Sequence, residues 1–166
     1  ANLHFLGFCL KLGKEGRVEV HLSRRTMKRL SRRILELIPR SCGTSLKSCI
    51  DKVNCYLRGW LGYLRICTEE SAKRFQRYDA RIRRRLRAII VRQKGKRPRF
   101  LYRHLRSCGV PLGLAHKAAF SWHGAWFMSA TFGVHHAYGN VWFARRVVTL
   151  WHEWQSSNPP NGVSGE

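Results

Sequence analysis

The densest chemical signal in the chain is "ARIRRRLRAIIVRQKGKRPRFLYRHLR", which sets twelve Lys or Arg between Arg81 and Arg106 without one carboxylate. A guanidinium is a planar fork of donors matched to phosphate oxygens, and a row of them along a helix edge tracks successive phosphates. On a helix, Arg81, Arg84, Arg85 and Arg92 fall around one side, and Arg83 and Arg87 widen the stripe. Lys94, Lys96, Arg97, Arg99 and Arg103 continue the run. A charge run can also be a plain solvated face, but such faces normally interleave both signs. Phosphate binding is the chemistry this stretch favours. In "CYLRGWLGYLR", Arg58 and Arg65 add two cations beside Gly59 and Gly62, two glycines inside a helical pattern. Each interior glycine costs a helix about 1 kcal/mol against alanine. Two readings explain the pair: tight packing of one helix on another, or close approach of a sugar-phosphate strand.

Other chemistries find less support. Two-metal phosphoryl transfer needs clustered carboxylates, yet no Asp or Glu occurs from Arg81 to His152. Glu15, Glu19, Asp51, Glu69, Glu70 and Asp79 form no convergent motif. His135 and His136 are adjacent, so on a helix they point about 100° apart, and no second ligand pair at zinc spacing follows. The six cysteines (Cys9, Cys42, Cys49, Cys55, Cys67, Cys108) form no C-x-x-C pair and read as buried thiols in a reducing compartment. No metal site, cofactor or catalytic residue is expected within this chain. The aromatics of the second half can stack on unpaired bases or pack in a core. The four-residue spacing of Trp122 and Trp126 favours packing.

Composition points the same way. The 166 residues hold 32 Lys and Arg against 9 Asp and Glu, a formal net charge of +23, with enough apolar content for a packed core. Such a chain repels itself unless a polyanion screens it, and nucleic acid is the first candidate, ahead of an anionic membrane. Apolar runs stay far below the ~20 residues of a membrane span, and no secretory h-region opens the chain. A cytoplasmic protein with no membrane partner is expected. The first residue is Ala rather than Met, as in a processed piece or after initiator-Met removal.

The elements that must carry these residues follow from periodicity. In "RVEVHL", Val18, Val20 and Leu22 alternate with polar residues, predicting an N-terminal β-hairpin. Ser23 suits an N-cap for a helix with Met27, Leu30, Ile34 and Leu37 inward, ended by Pro39; its other face is Arg24, Arg25, Lys28, Arg29, Arg32 and Arg33. Leu46, Ile50, Val53, Leu57, Trp60 and Leu64 predict a second helix. A third starts near "TEES" and carries Phe75, Tyr78, Ile82, Leu86 and Ile89. A short helix, "RFLYRHLRSCG", follows the break "KGKRPR". Helices near Leu114–Ser129 and Val141–Gln155 come next, with a weaker one between them, and "SSNPPNGVSGE" reads as a flexible end. The fold class is mainly α with an N-terminal β-hairpin.

The motifs resemble those of group II intron-encoded reverse transcriptases. "HFLGF" and its hairpin are similar to the last reverse-transcriptase block, where palm passes into thumb. Tyr56, Leu57, Arg58, Gly59, Trp60 and Tyr63 resemble the maturase signature, "RIRRRLRAIIVRQKGKRPR" its next basic helix, and "HGAWFMS" a later Gly-aromatic-Trp segment. "NPPN" resembles the ends of compact bacterial members that lack an endonuclease domain. The sequence departs from the family where Phe127, not Arg, follows Trp126, and the Tyr-x-Asp-Asp palm motif and finger blocks are absent.

The resemblance implies the end of the palm over 1–23, a three-helix thumb bundle over 24–93, a small helical maturase (X) domain over 94–155 and a tail over 156–166. It implies a region that grips template-primer duplex and intron RNA to support splicing, reverse transcription and retrohoming. Its partners would be group II intron RNA, the duplex, and the palm and fingers of the same reverse transcriptase. Mg2+ would serve the absent palm and the intron RNA. Two alternatives stay open: a free-standing RNA-binding structural or assembly protein, and the thumb of a defence-type reverse transcriptase.

Overall fold

The computed structural model describes residues 3–13, 16–39, 43–121 and 123–159. Three short antiparallel strands open the chain in the order β1 (Leu3–Phe5), β2 (Phe8–Leu12), β3 (Val18–Leu22). The expected hairpin is therefore a three-strand meander. Phe5 pairs with Phe8, so the first connection is the two residues Leu6 and Gly7, both with positive φ, the backbone of a type I′ turn. Gly7 is demanded twice: by that φ, and because a Cβ would sit 2.9 Å from the Thr26 hydroxyl. The space goes to hydrogen bonds, since the Thr26 hydroxyl and the Ser23 N–H both donate to the Gly7 carbonyl, at 2.9 and 2.8 Å.

Ser23 caps α1 (Arg24–Leu37), its Oγ accepting from the Thr26 N–H at 3.2 Å. Leu30 and Ile34 are buried and Met27 and Leu37 half-buried, so the inward stripe stands where its period put it. In α2 (Leu46–Arg65), Ile50, Val53, Leu57 and Leu64 are buried and Trp60 half-buried. The "TEES" segment makes only a short α3 (Glu69–Ala72), and a separate α4 (Phe75–Lys94) follows. Next come α5 (Pro98–Ser107), with Pro98 in its first turn, and α6 (Leu112–Ala119), α7 (Ala125–Met128), α8 (Phe132–Ala137), α9 (Asn140–Ala144) and α10 (Leu150–Ser157).

The two long C-terminal helices expected from the sequence are thus several short ones. Ser129 and Thr131 turn their hydroxyls back onto the carbonyls of Trp126 and Met128, at 2.7 and 2.8 Å, the local competition by which Ser and Thr end helices. Gly139 opens the next break. Trp122 and the end of the "NPPN" tail, from residue 160, lie outside the described residues.

The chain forms two units that are not consecutive in sequence. Unit 1 is Ala1–Glu36, Asn54–Ala80 and Val148–Glu166; unit 2 is Leu37–Val53 and Arg81–Val147. Unit 1 closes around Leu22, Leu30, Leu57, Leu64, Phe75 and Leu150. Its return segment is tied down by polar contacts. The buried Asp79 carboxylate accepts from the Leu150 and Trp151 N–H groups at 2.9 and 3.0 Å, at the positive end of α10. The Trp154 indole donates to the Cys67 carbonyl at 2.9 Å. Unit 2 closes around Ile82, Leu86, Ile89, Leu101, Leu105, Val134 and Phe143.

Candidate nucleic-acid interface

The cations singled out in the sequence divide between the units. Arg58 and Arg65 are exposed on the unit 1 part of α2, on either side of Gly59 and Gly62. A Cβ built on either glycine meets no atom within 4 Å. Packing within the described chain therefore does not account for the pair. The backbone at both glycines is exposed, and in sequence it lies between two exposed arginines.

In unit 2, Arg81, Arg92, Lys94, Lys96, Arg97, Arg99 and Arg103 are exposed, six of them within the corner from the end of α4 to α5. Arg84 is half-buried, its guanidinium 4.2 Å from the Trp126 ring centroid, where a cation is drawn to the ring face. Arg85 and Arg87 stand apart. They are only 9% and 4% exposed, and each spends its Nε–H on a carbonyl at 2.8 Å, Arg85 on Ile38 and Arg87 on Tyr138. Residues 85–91 are all buried, because the middle of α4 is enclosed on every side. These two arginines are built into the core, out of phosphate reach.

Around Arg87 lies a polar cluster. Its Nη1 is 3.3 Å from His135 Nε2, and its guanidinium lies 5.2 Å from the Phe143 ring centroid. Burial, helped by the Arg83 charge, lowers its pKa to about 10. Burial, then Arg87, Arg83 and Arg84, also holds His135 below the ordinary histidine value. That leaves neutral imidazole nitrogen to accept from Arg87. His104, hydrogen-bonded to the Tyr138 hydroxyl, is lowered by burial and by Lys94. The adjacent histidines do not converge: both are exposed, and of the two His135 is the one hydrogen-bonded to Arg87. Among the described residues no three His, Cys, Asp or Glu come together to hold a metal ion. Cys9, Cys49 and Cys67 are buried, and burial pushes the Cys67 thiol up to about 11. Cys55 and Cys108 are exposed, against the expectation of buried thiols throughout, and Cys42 lies outside the described residues.

One basic surface was visible in the sequence only as a helix face. In unit 1, Arg24, Arg25, Lys28, Arg29 and Arg32 of α1 line an open cleft of about 1270 Å³, completed by the Leu6–Phe8 turn and Tyr63. Tyr63 fixes its wall by donating to the Leu6 carbonyl at 3.0 Å and stacking on Phe8 at 4.9 Å. Arg29 lies 5.8 Å from the Trp60 ring centroid, joining the α1 cations to the aromatic row of α2. No carboxylate among the described residues lines the cleft. The signal that marks it is the spacing of cations at 24, 25, 28, 29 and 32, opposite the buried Leu30 and Ile34.

The family model of the group II intron maturase-specific domain matches residues 27–109, from the first turn of α1 to the residues just past α5. The chain belongs to this family. No curated protein matches it. The match places the group II intron maturase-specific domain over α1–α5 and so takes in Arg58, Gly59, Gly62, Arg65 and the whole cationic corner between α4 and α5. Its partner is group II intron RNA and its work is splicing-related RNA binding. No helix among the described residues of the maturase chain is long and apolar enough to cross a membrane.

Proposed function

We propose that this chain is the thumb and maturase end of a group II intron reverse transcriptase, with 1–23 closing the palm, 24–93 serving as the thumb, almost all of it inside the matched maturase-specific domain, and 94–155 continuing the maturase region. In this reading the thumb cradles template-primer duplex while both regions hold intron RNA in a splicing-competent form, for splicing and for retrohoming, in the cytoplasm of a bacterium. Mg2+ serves the RNA and the palm rather than this chain. A-form duplexes are gripped through phosphates and 2′-hydroxyls across a broad surface, which suits guanidinium faces better than base-reading pairs. The palm and fingers of the same polypeptide would cover the first strands, where Leu3, Phe5, Leu6, Leu12 and Val18 expose large apolar side chains.

The open glycine pair between Arg58 and Arg65 carries the reading. Two interior glycines cost α2 about 2 kcal/mol together, and no packing within the described chain recovers it. An RNA backbone lying across the helix would. The test is Gly59→Leu, with helix content, melting temperature and affinity for a group II intron transcript measured together. The expected result is a fold as stable as the parent or more so, with RNA binding weakened roughly tenfold or more, about 1.4 kcal/mol. Parental affinity in a folded Gly59→Leu variant would sink this assignment of the α2 face.

A further inference from the structure

Unit 2 contains a second kind of surface, apolar where the basic corner is charged. Phe132 is 82% exposed and Phe127 52%, although aromatic side chains normally bury 150–250 Å². Both belong to the wall of one pocket of about 380 Å³ formed by α6, α7 and α8. Leu114, Ala118 and Gly133 also line it, and α8 approaches α6 there so closely that a Cβ on Gly133 would lie 2.6 Å from the Leu114 carbonyl oxygen. Ser121 and Thr131 are the polar lining. Their hydroxyls donate to the Ala118 and Met128 carbonyls, at 3.2 and 2.8 Å, leaving oxygen lone pairs as acceptors. Lys117, exposed on α6, supplies a cation at the same pocket.

We infer that this pocket takes an unpaired nucleobase of the bound RNA, its flat face against Phe127 or Phe132 and its phosphate toward Lys117. An apolar slot with two exposed aromatic rings would also accept a side chain of a protein partner, and charge decides between them. The residues of unit 2 include eighteen Lys or Arg against a single acid, Asp51, so an extended polyanion is the complementary occupant. Stacking on an aromatic ring is tolerant of sequence, because every base has a π-face. The pocket therefore holds a splayed base in place without specifying which one. The inference rests on the RNA-binding reading and adds to it a contact that phosphate neutralisation cannot supply.

The experiment compares two probes of equal length and charge with the full 166-residue chain: a 12-nucleotide oligoadenylate and an abasic oligomer with the same phosphates, read by fluorescence anisotropy. The parent chain should bind oligoadenylate roughly tenfold more tightly than the abasic strand. Phe132→Ala, at an exposed site that leaves the fold intact by circular dichroism, should remove most of that ratio and leave abasic binding unchanged. Ala130→Trp, which fills the slot with both phenylalanines in place, should do the same. If the parent shows no preference for bases, or Phe132→Ala retains it, the pocket assignment is overturned while phosphate binding stands. Failure to bind either strand overturns the RNA-binding reading itself. A shift in sedimentation without a change in base preference would make the pocket a protein-docking face and overturn the inference.

Discussion

Two basic helices, α1 in unit 1 and the middle of α4 in unit 2, have similar side chains and opposite fates. On α1 every cation from Arg24 to Arg33 is exposed, and Glu36 takes up Arg33 at 2.9 Å and Arg32 at 3.7 Å. On α4 Arg85 and Arg87 turn inward and close backbone carbonyls. The difference lies in what each helix leaves covered. α1 buries a single stripe, so its basic side stays in water. The middle of α4 is enclosed all round, and a guanidinium caught there must find acceptors, since a buried charge without partners is prohibitive. Arginine density alone therefore does not locate a phosphate site. The number of faces a helix buries must be known first.

The contrast breaks most sharply at Arg87. Arg87→Ala leaves the Tyr138 carbonyl without its donor and opens space beside Phe143, and should cost about 3 kcal/mol of stability in denaturant melts. A change below about 0.5 kcal/mol would return Arg87 to the surface class. The mirror experiment is Arg25→Gln, Lys28→Gln and Arg32→Gln combined on α1. Stability should hold within about 0.5 kcal/mol, while the slope of log affinity against log salt should fall by about 3, near one per lost phosphate contact. Titrations of intron RNA from low to moderate salt read this directly, and an unchanged slope would remove the α1 cleft from the interface.

The smallest effect is on pH. His135 and His104 are held below the ordinary histidine value in the folded chain, chiefly by burial and then by Arg87 and Lys94 respectively. The folded state thus binds their protons more weakly than the unfolded chain. Their contribution is complete above about pH 6.5 and is lost as pH falls from there through the folded-state values. Melting temperatures between pH 8 and pH 5 should decline on the acid side, and His135→Gln should flatten part of that decline. An equally steep decline in the variant would detach the acid sensitivity from the Arg87 cluster.

What the sequence made legible follows from how regular each segment is. Ser23 with Leu30 and Ile34, and Ile50 through Leu64, are long one-sided patterns, and the structure has helices on those periods. After Leu112 the signals shorten. There Ser129, Thr131 and Gly139 cut the chain into pieces of four to eight residues, too short for any period to declare itself. The exposed cations at 92–103 were readable because "QKGKRPR" leaves no apolar stripe to draw them inward. Arg85 and Arg87 were not, since their burial depends on Ile38 and Tyr138, 47 and 51 residues away in sequence. The α1 cleft was hidden for a related reason: its second wall is Tyr63 and the Leu6–Phe8 turn, brought to α1 only by folding.

The return of α10 to unit 1 has a bearing on synthesis. Asp79 and the Cys67 carbonyl wait for Leu150, Trp151 and Trp154, so the unit that contains the first residues is the last to be completed. At a translation rate of about 5–20 residues per second, the stretch from Ala80 to Trp154 takes several seconds to emerge. For that interval the segments around Leu30, Leu57 and Phe75 lack part of their cover, and unit 2, whose last residue is Val147, has all of its chain seven residues before Trp154 emerges. Unit 2 thus has its whole chain before unit 1 does, and the cover that α10 gives to Asp79 and Cys67 is the last to become available.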